Sequence, residues 1–387
     1  MTTISPLAAS LTTDERALLD SAARFRRDHV APRAAGWERA RQMPRESLRE
    51  AARPGLTGIE VPRVQGGHGA GFVAKALIAE EVARSCMAFA FSLINTQNVA
   101  VRIAGAGSAA QIARYLAPLL AGELIGGTSL TEPHAGSDFP AISTTARRAG
   151  SGWVLDGEKA WLSNAAVAEV IIVFAKTDAA LGSDGIAAFL IDARAPGFER
   201  LPPYALMGGH AIGAGGFRLK DYRADEHALF YPPGQAFKRA LASINGARTY
   251  VAAMCCGMVA ESLRIALDHA ARRRSFGKRL LDHQGLRWSL ADVATDLEAA
   301  RLLTWRAADL IARGEDAMLA AAHAKKFAVR VAQQRLGDCM QAMGAEGLRE
   351  DYPIGRHIAS ARIAGYVDGS TEMQNERIGA LLEKTYL

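Results

Sequence analysis

Between residues 124 and 234 the chain contains short apolar runs that no segment of helical length separates. Turn-forming residues bound these runs, which lie at 153–155, 170–174, 186–191 and 216–219. Strands that follow one another without an intervening helix do not build parallel βαβ units. No G-x-G-x-x-G fingerprint follows any of them, which argues against a Rossmann domain. We therefore predict an antiparallel sheet or small barrel in this part of the chain.

Helical periodicity surrounds this segment on both sides. The run 12–15 has the form of a helix N-terminus, and apolar residues then recur at helical spacing up to Pro32. Further helices are predicted at 44–52, 74–84, 91–104 and 111–120 on the N-terminal side. On the C-terminal side, helices whose lengths suit a four-helix bundle are predicted at 235–271, 284–313, 317–343 and 370–384.

These patterns predict an α+β chain with three domains. An N-terminal helical domain is expected at 1–123, a middle β-domain at 124–234 and a C-terminal helical bundle domain at 235–387. A chain of 387 residues is long enough for two or three packed units, because single cores stop growing at roughly 250–300 residues. Apolar residues appear on more than one face at 251–258 and 320–331, so we expect these helices to bury a second surface against other subunits.

Composition places the chain among soluble globular proteins, with 49% hydrophobic and 22% charged residues. No apolar run approaches the ~18 residues of a membrane span, and the N-terminus lacks the pattern of a secretion signal. Cys86, Cys255, Cys256 and Cys339 show no metal-ligand spacing, so no metal site is expected and a reducing cytoplasm fits best. The net charge of +6 comes without a nucleic-acid motif, and a polyanionic small molecule explains it equally well.

Two polar runs stand out near the predicted strands. The first is L-T-E-P-H-A-G-S-D at 130–138, where Pro133 and Gly136 break regular structure and leave hydroxyl and amide groups free for a ring or a phosphate. The second is D-G-E-K-A-W-L-S-N at 156–164, which sets an aromatic ring beside a hydroxyl and an amide. Taken alone, the first run would be explained as a surface loop and the tryptophan of the second as a core residue. The close succession of the two runs favours a ligand site.

Together the two runs resemble the T-E-P-x-A-G-S-D and G-x-K-x-W-[IL]-[ST]-N motifs of the acyl-CoA dehydrogenase family. Two further segments match that family, R-R-S-F-G-K at 273–278 with His283 and Gln284, and D-G-S-T-E at 368–372. The resemblance covers essentially the whole chain. It implies that the middle β-domain binds FAD and that the helical domains lie on either side of it in the chain. It also implies a homotetramer.

The resemblance also implies which residues hold the flavin ring. Backbone and hydroxyl groups of Leu130, Thr131 and Ser137 would face the ring, Trp161 would cover one of its faces, and Ser163 would lie close to the N5 edge. Such donors stabilise the charge that the ring gains on reduction.

Other cofactor contacts are expected across a subunit interface. By the resemblance, Arg273 and Phe276 would reach the pyrophosphate and adenosine half of a neighbour's FAD. The family usually has two glycines at the end of the run 341–345, and Ala345 adds a methyl group where backbone would approach phosphate. The cofactor-binding positions implied for this half of the chain are Arg273, Phe276, Gln284, Gln341, Gly344, Ala345, Ser370 and Glu372.

The catalytic base is expected at Asp368. The reaction implied by the resemblance removes a proton from the α-carbon of an acyl thioester while a hydride leaves the β-carbon for flavin N5. It needs a carboxylate in an apolar pocket that raises its pKa. Most family members use the glutamate of Y-E-G-T-x-E-x-Q, whereas residues 366–374 are Y-V-D-G-S-T-E-M-Q. The carboxylate is therefore one methylene shorter, and Val367 is an extra residue between the tyrosine and the base.

Some family members carry the base on a helix near the position of Ala247, and alanine cannot serve. Asn245 and Arg248, which flank Ala247, would instead touch the pantetheine or position the acyl end. Ser137 and Gly369 complete the substrate-binding positions that the resemblance implies. Glu372 is the nearest other carboxylate to Asp368, but it lies about one helical turn further on.

Three functions remain open because of Asp368. The first is an acyl-thioester dehydrogenase of fatty acid metabolism, with coenzyme A or an acyl-carrier protein as the handle and an electron-transferring flavoprotein as the acceptor. The second is a relative with altered chemistry, such as nitroalkane oxidase, which uses an aspartate base. The third is a flavoprotein with little dehydrogenase activity, acting on a carrier-bound biosynthetic intermediate or serving as a subunit of a mixed assembly.

Overall fold

A computed structural model describes residues 10–387 and shows helices on both sides of a central sheet. The predicted start of the first helix is confirmed: the Thr12 hydroxyl accepts a hydrogen bond from the Glu15 amide, and the Glu15 carboxylate accepts one from the Thr12 amide. A π-helical turn, Arg26–Val30, extends this helix. The helices of the N-terminal domain are α1 (Thr13–Phe25), α2 (Ala34–Ala40), α3 (Arg45–Glu50), α4 (Phe72–Ala83), α5 (Met87–Ala106) and α6 (Ala109–Leu120).

The middle domain is an eight-stranded sheet with the order β6-β7-β3-β2-β4-β5-β8, in which β1 also pairs with β4. Its strands are β1 (Gly126–Ser129), β2 (Thr145–Ala149), β3 (Gly152–Leu162), β4 (Val170–Lys176), β5 (Ile186–Asp192), β6 (Phe198–Arg200), β7 (Gly215–Ala224) and β8 (Leu229–Tyr231). Most neighbours are antiparallel, as predicted, but β2 pairs with β4 in parallel through Thr145 and Lys176, and β1 also runs parallel to β4. The β2–β3 hairpin lies between them in the chain and makes the connection long enough for a parallel return.

The central strands β4 and β5 are apolar up to their last residues, Lys176 and Asp192, because both of their faces are buried. On one face, alternate residues such as Ile172 and Leu190 pack with Val99 of α5 and Leu116 of α6. On the other face, residues such as Val173 pack against side chains of β3 and β7. This double burial explains why these strands are continuous apolar runs in the sequence.

The C-terminal domain consists of long helices and a short hairpin. Its elements are α7 (Ala236–Arg272), β9 (Arg274–Ser275), β10 (Lys278–Arg279), α8 (Gln284–Ala312), α9 (Met318–Ala342), α10 (Ile354–Ala364), α11 (Thr371–Gly379) and α12 (Leu382–Tyr386). The three long helices were predicted, but the single helix expected at 370–384 is wrong, because the chain turns between α11 and α12. The prediction also missed α10, an 11-residue helix that begins after Pro353.

Helix α7 forms the centre of the C-terminal domain, and Tyr250–Val259 is buried on every side. Helices α4, α8 and α9 of the same chain pack around it. At Gly257 a Cβ atom would lie 2.1 Å from the Glu80 carbonyl oxygen, so α4 approaches this closely only because the residue is glycine. The prediction that the apolar faces at 251–258 and 320–331 bury a surface against other subunits is therefore wrong. Helices of the same chain already cover them.

Helix α7 is long and apolar enough to cross a membrane, judged by length and composition alone, with a mean hydropathy of 1.4 in its most apolar stretch. In this fold 72% of that stretch is buried inside the protein, as expected of a core helix. The absence of a membrane span stays a prediction.

Candidate functional site

The two polar runs singled out in the sequence are joined by a buried ion pair. Glu132 of the first run and Lys159 of β3 lie 2.9 Å apart, and both side chains are fully buried. Lys159 also donates to the Leu130 carbonyl oxygen at 3.1 Å, and the Ala160 amide donates to the Thr131 carbonyl oxygen at 3.0 Å. The loop 130–138 is therefore fixed against the strand that carries Trp161.

Hydrogen bonds saturate the buried Glu132 carboxylate. Its oxygens accept from the amides and hydroxyls of Ser143 and Thr144 as well as from Lys159. Burial opposes the charge, but Lys159 and these donors hold the pKa of Glu132 at about 2. Burial also lowers the pKa of Lys159 to about 8, against the attraction of Glu132. At neutral pH we expect both partners to be charged, because each retains its partner and the carboxylate is fully hydrogen-bonded.

Asn164, at the end of the second run, ties the sheet to α5. Its amide nitrogen donates to the carbonyl oxygens of Ser92 and Gly126 and to the Thr96 hydroxyl, at 2.9–3.2 Å. The residue is completely buried and has a φ of 66°. An asparagine in this left-handed conformation indicates a required local geometry. Asn164 thus sets the position of the neighbouring Ser163.

Left-handed backbone marks several of the predicted site residues. Among residues 10–387, six non-glycine residues have positive φ, and four of them lie in the motifs found in the sequence. These four are Trp161, Asn164, Phe276 and Asp368. Conformations of this kind persist only where the surrounding structure imposes them, and they concentrate at functional sites.

The face expected to hold the flavin ring presents an exposed tryptophan and unpaired polar groups. Trp161 is 61% exposed and lies against Tyr204, with ring centroids 4.5 Å apart. Within the described chain, the backbone amides of Leu130 and Thr131 and the hydroxyl of Ser163 make no hydrogen bond. Ordered donors without partners beside an exposed aromatic ring fit a flat, electron-accepting ligand.

The loop between α10 and α11 carries Asp368, and the buried Lys325 of α9 holds this loop. The Lys325 ammonium donates to the carbonyl oxygens of Val367 and Gly369, on either side of Asp368. The Gln374 side-chain amide donates to the Gly369 carbonyl oxygen as well, at 2.9 Å. Asp368 has a φ of 54° and Gly369 one of 92°. Because both neighbours of Asp368 are anchored, the fold determines where its carboxylate points.

The Asp368 carboxylate has the environment of a general base. Its Oδ2 atom is buried and has no hydrogen-bond partner among the described residues. Burial raises the pKa of this carboxyl group, and the positive charges of Lys325, Arg248 and Arg102 oppose that rise. A buried, unpaired carboxylate with a raised pKa is a candidate proton acceptor. The role of Asp368 itself stays a prediction.

The substrate-binding residues predicted on α7 lie next to this loop. Arg248 is buried, donates to the Asn245 side-chain oxygen at 3.3 Å, and has an Nε atom with no partner within residues 10–387. A Cβ atom at Gly369 would lie 3.6 Å from an Arg248 guanidinium nitrogen. The structure therefore brings Asn245, Arg248, Asp368 and Gly369 together. Ser137 is exposed in the 130–138 loop and makes no hydrogen bond with any of these four residues.

Other cofactor-binding candidates lie at the opposite end of α7. Arg273 follows the last turn of this helix, and Phe276 sits at the tip of the β9–β10 hairpin with 94% of its surface exposed. At ~1.5 Å per residue, α7 places Arg273 about 37 Å from Arg248. Gln284 is exposed at the start of α8, as are Gln341, Gly344 and Ala345 at the end of α9. Within one chain these residues are not joined to the Asp368 site.

Ser370 and Glu372 lie beside Asp368 at the start of α11. Ser370 is the residue before its first turn, and Glu372 is exposed within that turn. The sequence did not single out Lys325 or the pairing of Glu132 with Lys159. Lys325 falls at helical spacing from the buried Ala321 and Ala328, and this spacing is the signal that could have revealed it. No group of three or more potential metal ligands occurs in the described part of the chain.

Comparison with known proteins places this architecture in one family. Models of the acyl-CoA dehydrogenase N-terminal, middle and C-terminal domains match residues 12–123, 127–222 and 234–382. The mitochondrial short-chain specific acyl-CoA dehydrogenase of Homo sapiens is 33% identical over 370 residues, covering 95% of this chain and 90% of the human protein.

Solved structures agree with this relationship. Butyryl-CoA dehydrogenase from Megasphaera elsdenii superimposes with a TM-score of 0.92 at 30% identity, covering 96% of this chain and 99% of the other. A chain solved in work on the electron transferring flavoprotein of Acidaminococcus fermentans gives 0.92 at 32% identity, covering 96% and 98%.

The fold and the ring-binding face thus define a flavin oxidoreductase that acts on CH–CH bonds. The chain belongs to the acyl-CoA dehydrogenase family, and its cofactor is FAD. The unpaired amides of Leu130 and Thr131 and the hydroxyl of Ser163 fit the ring of this cofactor, and Trp161 would cover it.

Proposed function

We propose that this protein is an acyl-thioester dehydrogenase in which Asp368 removes the α-proton of the substrate. The observation that carries the proposal is the buried Oδ2 atom of Asp368, which lacks a hydrogen-bond partner among the described residues. Burial raises the pKa of this carboxyl group, which strengthens it as a base. FAD, when bound, supplies the acceptor for the β-hydrogen and its electron pair.

Lys325 and Arg248 support proton removal without taking part in it. Lys325 anchors the carbonyl groups on both sides of Asp368, which keeps the carboxylate directed into the site. Arg248 places its guanidinium beside the same loop through Nη2, and its Nε atom has no partner among the described residues, so the group can bind an oxygen of the thioester or its handle. The positive charges of both residues stabilise Asp368 as the anion and oppose the rise in its pKa.

The shorter side chain of Asp368 requires that the substrate α-carbon lies closer to the backbone than a glutamate would need. An error of about 1 Å in the position of a reacting group lowers a rate on the order of a hundredfold. The left-handed φ of Asp368, 54°, and the anchoring by Lys325 are the features that we propose compensate for this loss.

We further propose a homotetramer in which Arg273 and Phe276 complete the FAD site of a neighbouring copy. The separation of about 37 Å along α7 argues against their contributing to the Asp368 site of their own chain. Exposed apolar side chains occur on the same domain, where a partner would cover them: Phe276 (94%), Leu348 (72%), Trp288 (61%) and Leu302 (54%).

We favour coenzyme A as the handle of the substrate, and with it a role in fatty acid metabolism. We favour an electron-transferring flavoprotein as the electron acceptor. The similarity to a chain solved in work on the electron transferring flavoprotein of Acidaminococcus fermentans supports the second choice. We propose the cytoplasm as its location, since all four cysteines are free thiols.

Anaerobic bleaching of the bound flavin tests the proposal. We expect at least one acyl-CoA to bleach the flavin, and acyl-carrier-protein thioesters to do so no faster. Bleaching by nitroalkanes alone would instead identify a nitroalkane oxidase-like enzyme. Failure of every thioester would leave a flavoprotein with little dehydrogenase activity and overturn the proposal.

A further inference from the structure

Arg102 of α5 lies close enough to Asp368 to stabilise its anion. It is a cation without an acidic partner among the described residues. Its guanidinium donates to the hydroxyl of Thr128 on β1 at 2.8 Å and to the hydroxyl of Ser243 on α7 at 3.0 Å. It forms no ion pair with any residue of 10–387. Hydroxyl groups from two other elements thus hold a half-buried positive charge in place, and the Asp368 carboxylate, which this charge stabilises, lies beyond ion-pair distance. Such a guanidinium is suited to binding an oxyanion.

One turn before Arg102, a polar chain leads from α5 to Tyr250. Asn98 accepts a hydrogen bond from Lys75 at 2.7 Å and donates to the Tyr250 hydroxyl at 3.4 Å. Lys75 itself is neutralised by Glu60 at 2.6 Å. The Tyr250 hydroxyl donates to no acceptor in the described chain. Burial and the nearby Asp368 keep its pKa well above the usual range, so its proton is available for a hydrogen bond.

These donors lie level with the Asp368 loop along α7. Arg102 contacts α7 at Ser243, and Asn98 contacts it at Tyr250, two turns further on. Arg248, which neighbours the loop through Gly369, lies between these two levels. Seven residues of α-helix rise about 10 Å, so the donors and the loop share one short stretch of α7.

The side of α5 that faces this stretch begins with Phe91, whose ring packs edge-on against Tyr250 at 6.1 Å between centroids, and becomes polar towards the end of the helix. Within Met87–Ala100 the residues that are not buried are Asn95 and Asn98, and Arg102 follows at helical spacing from both. A pocket built only for a hydrocarbon chain has no use for the Arg102 charge, because the hydroxyl partners of Arg102 leave this guanidinium without a carboxylate of the described chain at ion-pair distance.

We propose that the acyl group of the substrate carries a carboxylate, which Arg102 binds with help from Tyr250 and Asn98. The substrate class is therefore the mono-thioester of a dicarboxylic acid. This inference rests on the proposed dehydrogenase function and specifies its substrate. A phosphate of coenzyme A is the other oxyanion available, but the whole pantetheine separates it from the α-carbon. A phosphate at Arg102 would place the α-carbon far from Asp368.

Thioesters of matched carbon number test the proposal on the intact, FAD-loaded protein. Glutaryl-CoA is compared with valeryl-CoA, and adipyl-CoA with hexanoyl-CoA, because each pair differs only at the terminal group. We expect the dicarboxylic member to bleach the flavin at lower concentration than its partner. Arg102→Met should remove this preference, with a loss on the order of ten- to a hundredfold for the dicarboxylic thioester. The monocarboxylic thioester should change less than about threefold.

Binding without turnover gives a second measurement. Isothermal titration of glutaryl-CoA into Asp368→Asn, and into Asp368→Asn combined with Arg102→Met, should show the same loss. Arg239→Met is the matched control, since Arg239 is an exposed arginine of α7 that lies over the Tyr231 ring. It changes the net charge equally and should preserve the preference. Arg102→Lys should retain part of it, which guards against an Arg102→Met protein that does not fold.

The outcomes separate this inference from the proposed function. If no thioester bleaches the flavin, the dehydrogenase proposal itself fails. If valeryl-CoA works as well as glutaryl-CoA in the wild type, the dehydrogenase proposal stands and the carboxylate site is refuted. If Arg102→Met weakens both members equally as CoA thioesters but not as pantetheine thioesters, Arg102 binds a phosphate of coenzyme A. That result also refutes the carboxylate site.

Discussion

Glu132 and Lys159 form a fully buried ion pair at 2.9 Å that joins the two segments expected to surround the flavin ring. One partner lies in the loop after β1 and the other in β3, and the pair holds the Leu130 and Thr131 amides in register with Trp161. The opposite charge of its partner offsets the free-energy cost of burying each of these ions.

Glu132→Gln should destabilise the protein by about 3–5 kcal/mol, because it leaves the buried Lys159 ammonium without its counter-charge. Denaturant unfolding measures the change, and FAD retention should fall with it, since the loop loses its attachment. The double variant Glu132→Gln with Lys159→Met should lose less than the two single changes together. Additive losses would show that the pair is not coupled.

Asp368→Asn should slow thioester-dependent flavin bleaching by at least about a hundredfold, because an amide cannot accept the α-proton. FAD content should stay at the wild-type level. Asp368→Glu should not speed the native reaction, since a longer side chain crowds a substrate held close. Glu376→Gln, at an exposed carboxylate of α11, is the control. Wild-type bleaching by Asp368→Asn would place the base elsewhere.

Lys325→Met should shift the pH profile of kcat/KM. The Lys325 charge opposes the rise in the Asp368 pKa, so its removal raises that pKa further. The base is active when deprotonated, and activity is lost as pH falls through its pKa. The acid limb should therefore move to higher pH, with a lower plateau as the loop loosens. Lys325→Arg should restore part of both.

The exposed neighbour Lys326 provides a matched control for this experiment. Lys326→Met should leave the acid limb in place. A Lys325→Met protein with reduced activity but an unshifted profile would mean that Lys325 acts on the fold alone.

Arg273→Ala should weaken FAD retention on the order of tenfold without changing the thermal stability of the apoprotein. Arg273 is exposed at the end of α7 and is expected to contact a neighbour's cofactor. The FAD-to-protein ratio after gel filtration measures retention, and Arg272→Ala, at the adjacent exposed arginine, is the control. Wild-type retention by Arg273→Ala would contradict the proposed assembly of the site.

The prediction of the fold succeeded where periodicity is local. The helical ends, the strand-rich middle and the long helices α7, α8 and α9 follow from residue patterns within single segments. The helix α10 and the division of the last segment into α11 and α12 were missed because these helices are short, and tertiary packing outweighs their weak periodic signal. The parallel pairing of β1 with β4 depends on the path of the chain, which a strand's own residues do not encode.

By itself, the sequence determined the family, the cofactor and the position of the candidate base, since these depend on motifs of contiguous residues. Only the tertiary structure decided that Glu132 pairs with Lys159, that Lys325 anchors the Asp368 loop and that Arg102 lacks an acidic partner. These contacts join side chains distant in the chain, and their strength comes from burial, which removes competing water. The apolar faces of α7 illustrate the same limit, because residue type shows that they must be buried but not which helices cover them.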